Sequence, residues 1–176
     1  DGTMLCRIRI VLPKGLFLDG YEITIWKNTT CEPYWSTISA VREWWETDLG
    51  LVPMEVPAIG REPMYSFWYS QHQNITAESV EAESKLAAEM GFSSVIVDDG
   101  WQTEDNNRGY SFCGDWEVAT KKFPDMAAHV KRVQDMGLKY LIWFSIPFLG
   151  KNTKAWEKFK DKIVCFDDFQ NAAIFD

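Results

Sequence analysis

Two adjacent carboxylates, Asp98 and Asp99, follow directly on the apolar run 94–97. Adjacent carboxylates at the end of a buried strand repel each other and lose solvation, so each must accept hydrogen bonds to stay ionised. Ligand hydroxyl groups meet this need, because ionised acceptors form stronger hydrogen bonds than neutral ones. The pair therefore predicts a site for a ligand rich in hydroxyl groups, such as a sugar.

Two other interpretations of the pair remain open. Asp favours turns, so one carboxylate could cap a turn while the other is merely exposed. Magnesium is bound through one or two carboxylates, so a Mg²⁺ site is the second alternative.

Aromatic and polar residues lie near the predicted ends of neighbouring strands. Trp101 and Trp143 offer flat apolar faces that suit the C–H face of a sugar ring. Asp115 and Trp116, in the loop after Asp99, could either reach the ligand or brace the loop. The histidines at 72 and 129 are expected to be structural, although the first could also bond a substrate.

The elements that must position these residues alternate between strand and helix. Strands are predicted at 65–69, 94–97 and 140–144, with helices at 76–90 and from about 124 to 136. Each helix ends at a glycine, Gly91 or Gly137, and a buried strand follows it. This repeat is typical of a parallel sheet with crossover helices.

An open doubly wound sheet and a (β/α)₈ barrel both begin in this way. Because a barrel needs about 250 residues, the 113 residues after Pro63 could form only its first part.

The first third of the chain has a different pattern. Residues 1–33 resemble the tail of a β domain, with strands predicted at 7–11 and 23–26. A helix with one apolar face is predicted at 35–49, and a loop rich in proline follows at 51–63. The tryptophans of this helix, Trp35, Trp44 and Trp45, are expected to lie in a core.

Composition excludes several classes of protein. The net charge of −8 argues against nucleic acid as a partner, and 46% hydrophobic with 25% charged residues is typical of a globular protein. No apolar run approaches the roughly 18 residues of a membrane helix, and no signal peptide is recognised. Four widely spaced cysteines include no zinc-binding pair, which favours free thiols in the cytoplasm.

Four motifs follow one another along residues 60–176: Val95-Ile96-Val97-Asp98-Asp99-Gly100-Trp101-Gln102, Gly114-Asp115-Trp116, Phe123-Pro124, and Leu141-Ile142-Trp143-Phe144 with Pro147-Phe148. Their order and spacing resemble glycoside hydrolase family 36, the α-galactosidase or melibiase family, which also contains raffinose synthase-like proteins. Residues 1–60 resemble the end of the N-terminal β-sandwich of that family and its connector, without a defining motif.

The resemblance implies an α/β fold: a partial (β/α)₈ TIM barrel with its first three strands, preceded by the end of an N-terminal β-sandwich and a connector. It assigns residues 1–33 to the tail of the N-terminal β domain, 34–63 to the connector helix and loop, and 64–176 to the first part of the catalytic barrel. The implied activity is retaining hydrolysis of terminal α-linked galactose in oligosaccharides such as melibiose or raffinose.

The resemblance also implies roles for single residues. Asp98 and Asp99 are expected to accept hydrogen bonds from O4 and O6 of galactose, while Trp143 lines the same subsite. The full set of predicted substrate-binding residues is Asp98, Asp99, Trp101, Trp143, Asp115 and Trp116. The expected partner is an α-galactoside oligosaccharide, without a metal, a cofactor, nucleic acid or a membrane. A homo-oligomeric full-length enzyme is implied, and the cysteine pattern favours a cytoplasmic location.

The sequence departs from the family pattern at the catalytic residues. The family takes its nucleophile from a Lys-x-Asp motif after the fourth strand and its acid/base from after the sixth, and retaining glycosidases need both carboxylates. No Lys-x-Asp motif ends an apolar strand here, because residues 160–162 and the pair 167–168 lie in the wrong context for it. We therefore predict no catalytic residue here. We expect an inactive fragment that ends, at 174–176, in the connection to the fourth strand.

Three alternative functions remain. Within the family, the alternative is a galactosyl transferase of the raffinose synthase type. Outside it, the sequence could be a non-catalytic sugar-binding α/β domain or a Mg²⁺-dependent phosphotransferase.

Overall fold

The computed structural model describes residues 24–107 and 109–175. The chain divides into two compact units, residues 1–55 and 56–176. The predicted domain boundaries lie at 33/34 and 63/64, and the assignment of those segments to domains stays a prediction. The strand predicted at 7–11 lies outside the described residues. The strand predicted at 23–26 is wrong over its described part, because residues 24–26 form no strand.

Helix α1 (Tyr34–Thr47) confirms the helix predicted in the first unit. Its tryptophans are not core residues, contrary to expectation: Trp35 is 61% exposed, Trp45 is 49% exposed, and α1 contains no buried residue. The physical reason is the lack of a partner layer, since α1 is the only helix or strand among the described residues of its unit.

The second unit contains the predicted parallel sheet. Strands β1 (Met64–Ser66), β2 (Ser94–Val97) and β3 (Lys139–Ile142) are parallel in the order β1-β2-β3. Tyr65 pairs with Val95, and Val95 pairs with Tyr140, which sets the register across the sheet. The three-strand part of the prediction is therefore confirmed.

Two crossover helices connect these strands, and local capping fixes both. Helix α3 (Ala77–Glu89) begins at Thr76, whose hydroxyl accepts from Ser79 N at 3.2 Å in a capping box. The later helix, α4 (Met126–Asp135), begins at Asp125, whose carboxylate accepts from Ala128 N at 2.9 Å. The glycines that follow the helices, Gly91 and Gly137, both have φ of +86°. A positive φ favours glycine, which explains why both helices end there.

The first strand is shorter than predicted. The chain leaves the sheet after Ser66 and forms a helical turn, α2 (Trp68–Gln71). Phe67 is fully buried whereas Tyr69 is 86% exposed. The turn lets the chain bury the ring of Phe67 while Tyr69 remains exposed to solvent. The run of aromatic residues at 65–69 therefore resembled a strand although only its beginning is one.

The core lies between the sheet and its two helices. Side chains that alternate along the strands, including Val95 and Val97, pack with Val80 of α3 and Val133 of α4. The opposite face of the sheet has less cover among the described residues, and its Met64 and Leu141 are 46% and 40% exposed.

A second, antiparallel sheet follows the parallel one and was not predicted. Strands β4 (Phe148–Gly150), β5 (Ile163–Asp167) and β6 (Ala172–Phe175) pair in the order β4-β6-β5. Helix α5 (Lys154–Phe159) and a 3₁₀ turn, Lys160–Lys162, lie between β4 and β5. A further 3₁₀ turn, Ala58–Arg61, precedes β1. Residues 174–175, which we expected in a simple connection, therefore form the end of a strand. None of the described helices is long and apolar enough to cross a membrane.

Candidate functional site

The predicted site residues meet at the carboxyl ends of the parallel strands. Asp98 and Asp99 follow β2, and Trp143 follows β3. Trp143 N donates to Val97 O at 3.0 Å, so the main chains of the two strand ends remain side by side. In parallel sheets this edge is where ligands bind.

Asp99 is the more deeply buried carboxylate of the pair, at 2% exposure. Its Oδ2 accepts from Gln73 Nε2 at 2.6 Å, and its Oδ1 accepts from Gln102 Nε2 at 2.6 Å. We call this arrangement the amide clamp: Gln73, Asp99 and Gln102. Burial raises the pKa of Asp99 most strongly, while the two amide bonds lower it and the nearby Asp98 charge raises it.

Asp98 has a different environment from its neighbour. It is half-buried, and its Oδ1 accepts from the main-chain N–H of Asp99 at 2.8 Å. Its second oxygen, Oδ2, accepts no hydrogen bond from the described residues. An ionised oxygen without a partner is a strong acceptor for a ligand hydroxyl. The pair thus combines a clamped carboxylate with a freer one.

A buried lysine lies beneath the amide clamp. Lys122 is 7% exposed, and its Nζ donates to Gln73 O at 2.7 Å, to Asn106 Oδ1 at 2.7 Å and to Gly100 O at 3.2 Å. Burial lowers the pKa of Lys122, and the charge of Asp99 acts in the opposite direction. Three acceptors satisfy the three N–H groups of the ammonium, which is what a buried lysine requires.

Gly100 allows the main chains to approach at this point. Its φ is +114°, and a Cβ there would lie 2.6 Å from Gln73 Cα. Only glycine fits such an approach without displacing the backbone. The glycine after the aspartate pair therefore brings the carbonyl groups of residues 73 and 100 within reach of one ammonium.

Aromatic side chains pack around the same edge of the sheet. Trp101 stacks on Trp116 with centroids 6.2 Å apart, and Trp116 meets Trp143 edge to face at 5.9 Å. Trp101 is 3% exposed, and its indole N–H donates to Trp143 O at 2.9 Å. Trp116 and Trp143 are half-buried and keep accessible surface. Trp101 therefore braces the strand ends, and its predicted contact with substrate stays a prediction.

Asp115 braces the loop. Its two carboxylate oxygens accept from Lys154 N at 2.9 Å and from Ala155 N at 2.8 Å, at the start of α5. A carboxylate at this position satisfies main-chain N–H groups that have no partner within the helix. Of the two roles considered for Asp115, the structure supplies bonds for the bracing one, and substrate binding by Asp115 stays a prediction.

A cavity of about 330 Å³ opens beside Asp99. Its lining residues come from α2, from the loop between β2 and α4, and from the β5–β6 turn: Trp68, Asp99, Gly109, Tyr110, Phe169 and Gln170. Tyr110 stacks on Trp143 with centroids 6.0 Å apart. Burial raises the pKa of Tyr110 most, and the nearby charges of Asp99 and Asp98 raise it further, so its hydroxyl is protonated at neutral pH and able to donate.

The two histidines lie outside the amide clamp. His129 is fully buried, with Nδ1 2.8 Å from Glu81 Oε1 and Nε2 3.1 Å from Tyr140 Oη. This confirms its expected structural role. His72 has φ of 52° and packs edge to face on Trp68 at 4.9 Å.

The amide clamp and its lysine were missed from the sequence. Gln73 and Lys122 lie 26 and 23 positions away from Asp99, and neither belongs to a pattern that singles it out. The available signals were weak: a glycine directly after the aspartate pair, and polar residues that follow the first strand. Among the described residues, no group of three His, Cys, Asp or Glu side chains could hold a metal ion.

Comparison with known proteins identifies relatives for the second unit. A family model described as Melibiase matches residues 60–173. The α-galactosidase AgaA of Geobacillus stearothermophilus is 28% identical over 97 residues, which are 53% of this chain and 13% of that protein. α-Galactosidase 1 of Pediococcus pentosaceus is 33% identical over 81 residues, which are 44% of this chain and 11% of that protein.

Solved structures agree in fold. A variant of AgaA crystallised in complex with raffinose superposes with a TM-score of 0.62 at 23% identity, covering 76% of this chain and 19% of that one. The galactosidase domain of the α-galactosidase–sucrose kinase AgaSK gives 0.59 at 24% identity, covering 66% of this chain and 17% of that one. The chain thus spans less than a fifth of the length of these relatives. Because the Melibiase model matches well over half of the chain, this protein belongs to the Melibiase family, that of the glycoside hydrolase family 36 α-galactosidases.

Proposed function

We propose that residues 64–176 form the first three-strand part of the (β/α)₈ catalytic barrel of a retaining α-galactosidase, and that this part binds the galactose ring. The observation that carries the proposal is the pair Asp98 and Asp99 at the carboxyl end of β2, within a Melibiase match. The ligand edge of a parallel sheet is the expected place for such a pair.

The two carboxylates suit two hydroxyl groups of galactose. Asp98 Oδ2 is free to accept among the described residues, and Asp99 retains lone pairs beyond those used by its two amide donors. Galactose carries an axial O4 where glucose has an equatorial one. A carboxylate fixed by the amide clamp can therefore discriminate the two sugars through the direction of one hydrogen bond. Loss of a hydrogen bond to a charged group costs about 1.5–3 kcal/mol.

Aromatic surface complements these polar contacts. Trp143 and Trp116 are half-buried beside the pair, and Tyr110 stacks on the first of them. Indole faces pack well against the C–H face of a sugar ring. We assign ring contact to Trp143 and Trp116, with Trp101 held behind them.

The exposure of the sheet supports a partial barrel. Parallel sheets are normally covered on both faces. Here the face opposite the helices carries Met64 and Leu141, which are partly exposed among the described residues. Phe144 and Ile146, after β3, are 45% and 65% exposed. Further strands beside β3 and β1 would cover these apolar groups and close the barrel.

The catalytic carboxylates would come from elsewhere in that barrel. Retaining glycosidases need two carboxylates about 5–5.5 Å apart, one of which attacks the sugar. Both oxygens of Asp99 already accept amide hydrogens at 2.6 Å, and Asp98 is its immediate neighbour in the chain. We therefore assign both to substrate binding and neither to catalysis.

The proposed substrates are α-galactoside oligosaccharides. Variants of the relative AgaA have been crystallised with raffinose and with stachyose, which carry such galactose. We place the protein in the cytoplasm, since a reducing compartment suits the exposed free thiols of Cys31 and Cys165.

Hydrolysis of p-nitrophenyl α-galactoside tests this function. We expect activity from the protein expressed from its whole coding sequence, and none above background from the 176-residue chain. Activity of the short chain at a comparable rate would place the catalytic pair within it. Absence of activity from the longer protein would contradict the proposed function. With sucrose added as acceptor, a trisaccharide product in place of free galactose would indicate a transferase.

A further inference from the structure

The amide clamp is built from residues that are distant in sequence, so something must hold them in register. Gln73 lies between α2 and α3, whereas Asp99 and Gln102 belong to the loop between β2 and α4. Their side chains meet at 2.6 Å on both sides of the carboxylate. A shift of either loop by one ångström would break hydrogen bonds of this length.

Lys122 contacts both loops at the main chain. Its ammonium binds the carbonyl oxygen of Gln73 at 2.7 Å and that of Gly100 at 3.2 Å. It therefore holds the residue that donates to Asp99 and the residue that directly follows Asp99. A third bond, to Asn106 Oδ1 at 2.7 Å, extends the contact to the distal part of the loop.

The setting of Lys122 argues against a chance contact. Lysine is rarely buried, and burial of an ammonium needs full compensation by partners. The next residue along the chain, Lys121, shows the ordinary case: its side chain is 80% exposed and pairs at the surface with Glu104. Gly100 lacks a side chain at the point where a Cβ would lie 2.6 Å from Gln73, which permits the approach that Lys122 bridges.

We propose that Lys122 is a positioning residue: its buried ammonium ties the main chains of Gln73 and Gly100 together and thereby holds the amide clamp on Asp99. The role in sugar recognition rests on the proposed function, whereas the structural link between Lys122 and Asp99 does not. Lys122 acts through the clamp and is not assigned any contact with substrate.

The orientation of the Gln73 amide is part of this device. Its Nε2 donates to Asp99, and its buried Oε1 has no hydrogen-bond partner among the described residues. A buried acceptor without a partner is unfavourable, so the amide stays this way round because Asp99 needs a donor. Lys122 fixes the backbone of the same residue, which leaves the side chain little choice of position.

The direct test is the pKa of the Asp99 carboxyl, measured by NMR titration of ¹³C-labelled aspartate in the 176-residue chain. We expect Lys122→Met to raise this pKa by about one unit, since it removes a nearby positive charge and, by loosening the clamp, also removes bonds that favour the ionised form. Lys121→Met is the matched control and should leave it unchanged. An Asp99 pKa that is the same in Lys122→Met and wild type would overturn the proposal. The other titratable groups near this cluster, to be followed in the same spectra where they report, are Asp98, Glu104, Asp105, Tyr110 and Cys113.

A second pair of variants covers the case in which Lys122→Met does not fold. Lys122→Gln keeps a donor and should raise the Asp99 pKa less than Gln73→Leu, which removes half of the clamp outright. If Gln73→Leu raises the Asp99 pKa but Lys122→Gln leaves it unchanged, the amide clamp does not depend on the lysine. That result would overturn the proposal.

Kinetics on the protein from the whole coding sequence separate this inference from the proposed function. Lys122→Met should raise KM for p-nitrophenyl α-galactoside about tenfold with a smaller change in kcat, as expected when binding is lost. Equal KM in variant and wild type would contradict the positioning role. An inactive wild type would contradict the proposed function. The role of Lys122 in the amide clamp would then be decided by the Asp99 pKa in the NMR titration.

Discussion

At the scale of single residues, the two aspartates of the candidate site are not equivalent. Asp99 is buried and bound by two amides, whereas Asp98 is half-buried with one oxygen available among the described residues. Burial of an ionised carboxylate works against folding, because the charged form loses its hydration. Asp99 is therefore expected to reduce stability at neutral pH in return for a fixed acceptor, as is common at functional sites.

The contribution of Asp99 to the free energy of unfolding changes with pH in a definite direction. The folded-state pKa of Asp99 lies above its ordinary value, chiefly because of burial. Its contribution to stability is therefore full at acid pH, below the unfolded pKa, and is lost as the pH rises through the folded-state pKa. Asp99→Asn has no carboxyl group to ionise, so it does not lose this stability as the pH rises. The Oε1 oxygen of Gln73, which has no partner among the described residues, can accept from the new amide.

We predict that Asp99→Asn becomes more stable relative to wild type by about 1 kcal/mol or more between pH 3 and pH 7. Thermal unfolding followed by tryptophan fluorescence across this range measures the change. Asp161→Asn, at an exposed position, is the control and should shift stability by less than about 0.5 kcal/mol. If the stability of Asp99→Asn relative to wild type stays constant or falls as the pH rises, the predicted direction is wrong.

A second prediction at this scale concerns the thiols. Burial raises the pKa of Cys113 to about 12, with the charge of Asp99 acting in the same direction. Because the thiolate is the reactive form, Cys113 should resist iodoacetamide at pH 8 in the folded protein, whereas exposed Cys31 and Cys165 should be alkylated. Peptide mass spectrometry gives the result, and equal labelling of all three in the native state would count against the buried assignment.

At the scale of elements, a polar cluster joins both crossover helices to the sheet. His129 of α4 contacts Glu81 of α3 and Tyr140 of β3, and Arg132 binds the same glutamate through two nitrogens at 2.8 and 2.9 Å. The bonds from Arg132 lower the pKa of Glu81 most, and burial opposes them. The stabilisation from Glu81 is therefore present above its unfolded pKa and is lost as the pH falls through its folded-state pKa.

We predict that His129→Ala lowers the free energy of unfolding by about 2–4 kcal/mol. It leaves a cavity at a fully buried position and removes the partner of the half-buried Tyr140 hydroxyl, while Glu81 keeps its bonds to Arg132. Urea denaturation measures the difference. Lys131→Ala, two positions along the same helix and exposed, should change it by less than about 0.5 kcal/mol. Equal effects of the two substitutions would show that the cluster does not hold the helices.

The elements differ in how well the sequence predicts them. Helices α3 and α4 and strand β2 carry local signals, since capping residues begin each helix and Gly91 and Gly137 end them. Strand β1 carried a misleading signal, because its aromatic run continues into a helical turn that buries Phe67. The antiparallel sheet was missed because its strands pair across a helix, and because β5 is largely exposed and so lacks the pattern of a buried strand.

The site shows the same division between local and distant information. Asp98 and Asp99 could be predicted because they end a strand and stand together. The amide clamp could not, because Gln73 and Lys122 reach Asp99 or its loop only through the fold. Trp101 was predicted as a site residue, and this stays a prediction, whereas its burial and its bond to Trp143 are visible only in three dimensions.

At the scale of the whole molecule, we propose that the second unit supplies the substrate-binding part of a larger active site. Three parallel strands carry the aspartate pair, the amide clamp and the aromatic residues on one edge, while one face of the sheet is partly exposed among the described residues. The family match covers residues 60–173, and the relatives are several times longer. In this proposal the aspartate pair selects galactose by the direction of its O4.

The most direct test measures kcat/KM for p-nitrophenyl α-galactoside and α-glucoside with the protein from the whole coding sequence and its Asp98→Ala and Asp99→Ala variants. We predict that wild type prefers the galactoside and that at least one variant lowers the galactoside-to-glucoside ratio by about 10- to 100-fold, which corresponds to about 1.5–3 kcal/mol. Asp161→Asn should keep the wild-type ratio. Ratios within twofold of wild type in both alanine variants would contradict the claim that this pair recognises the sugar.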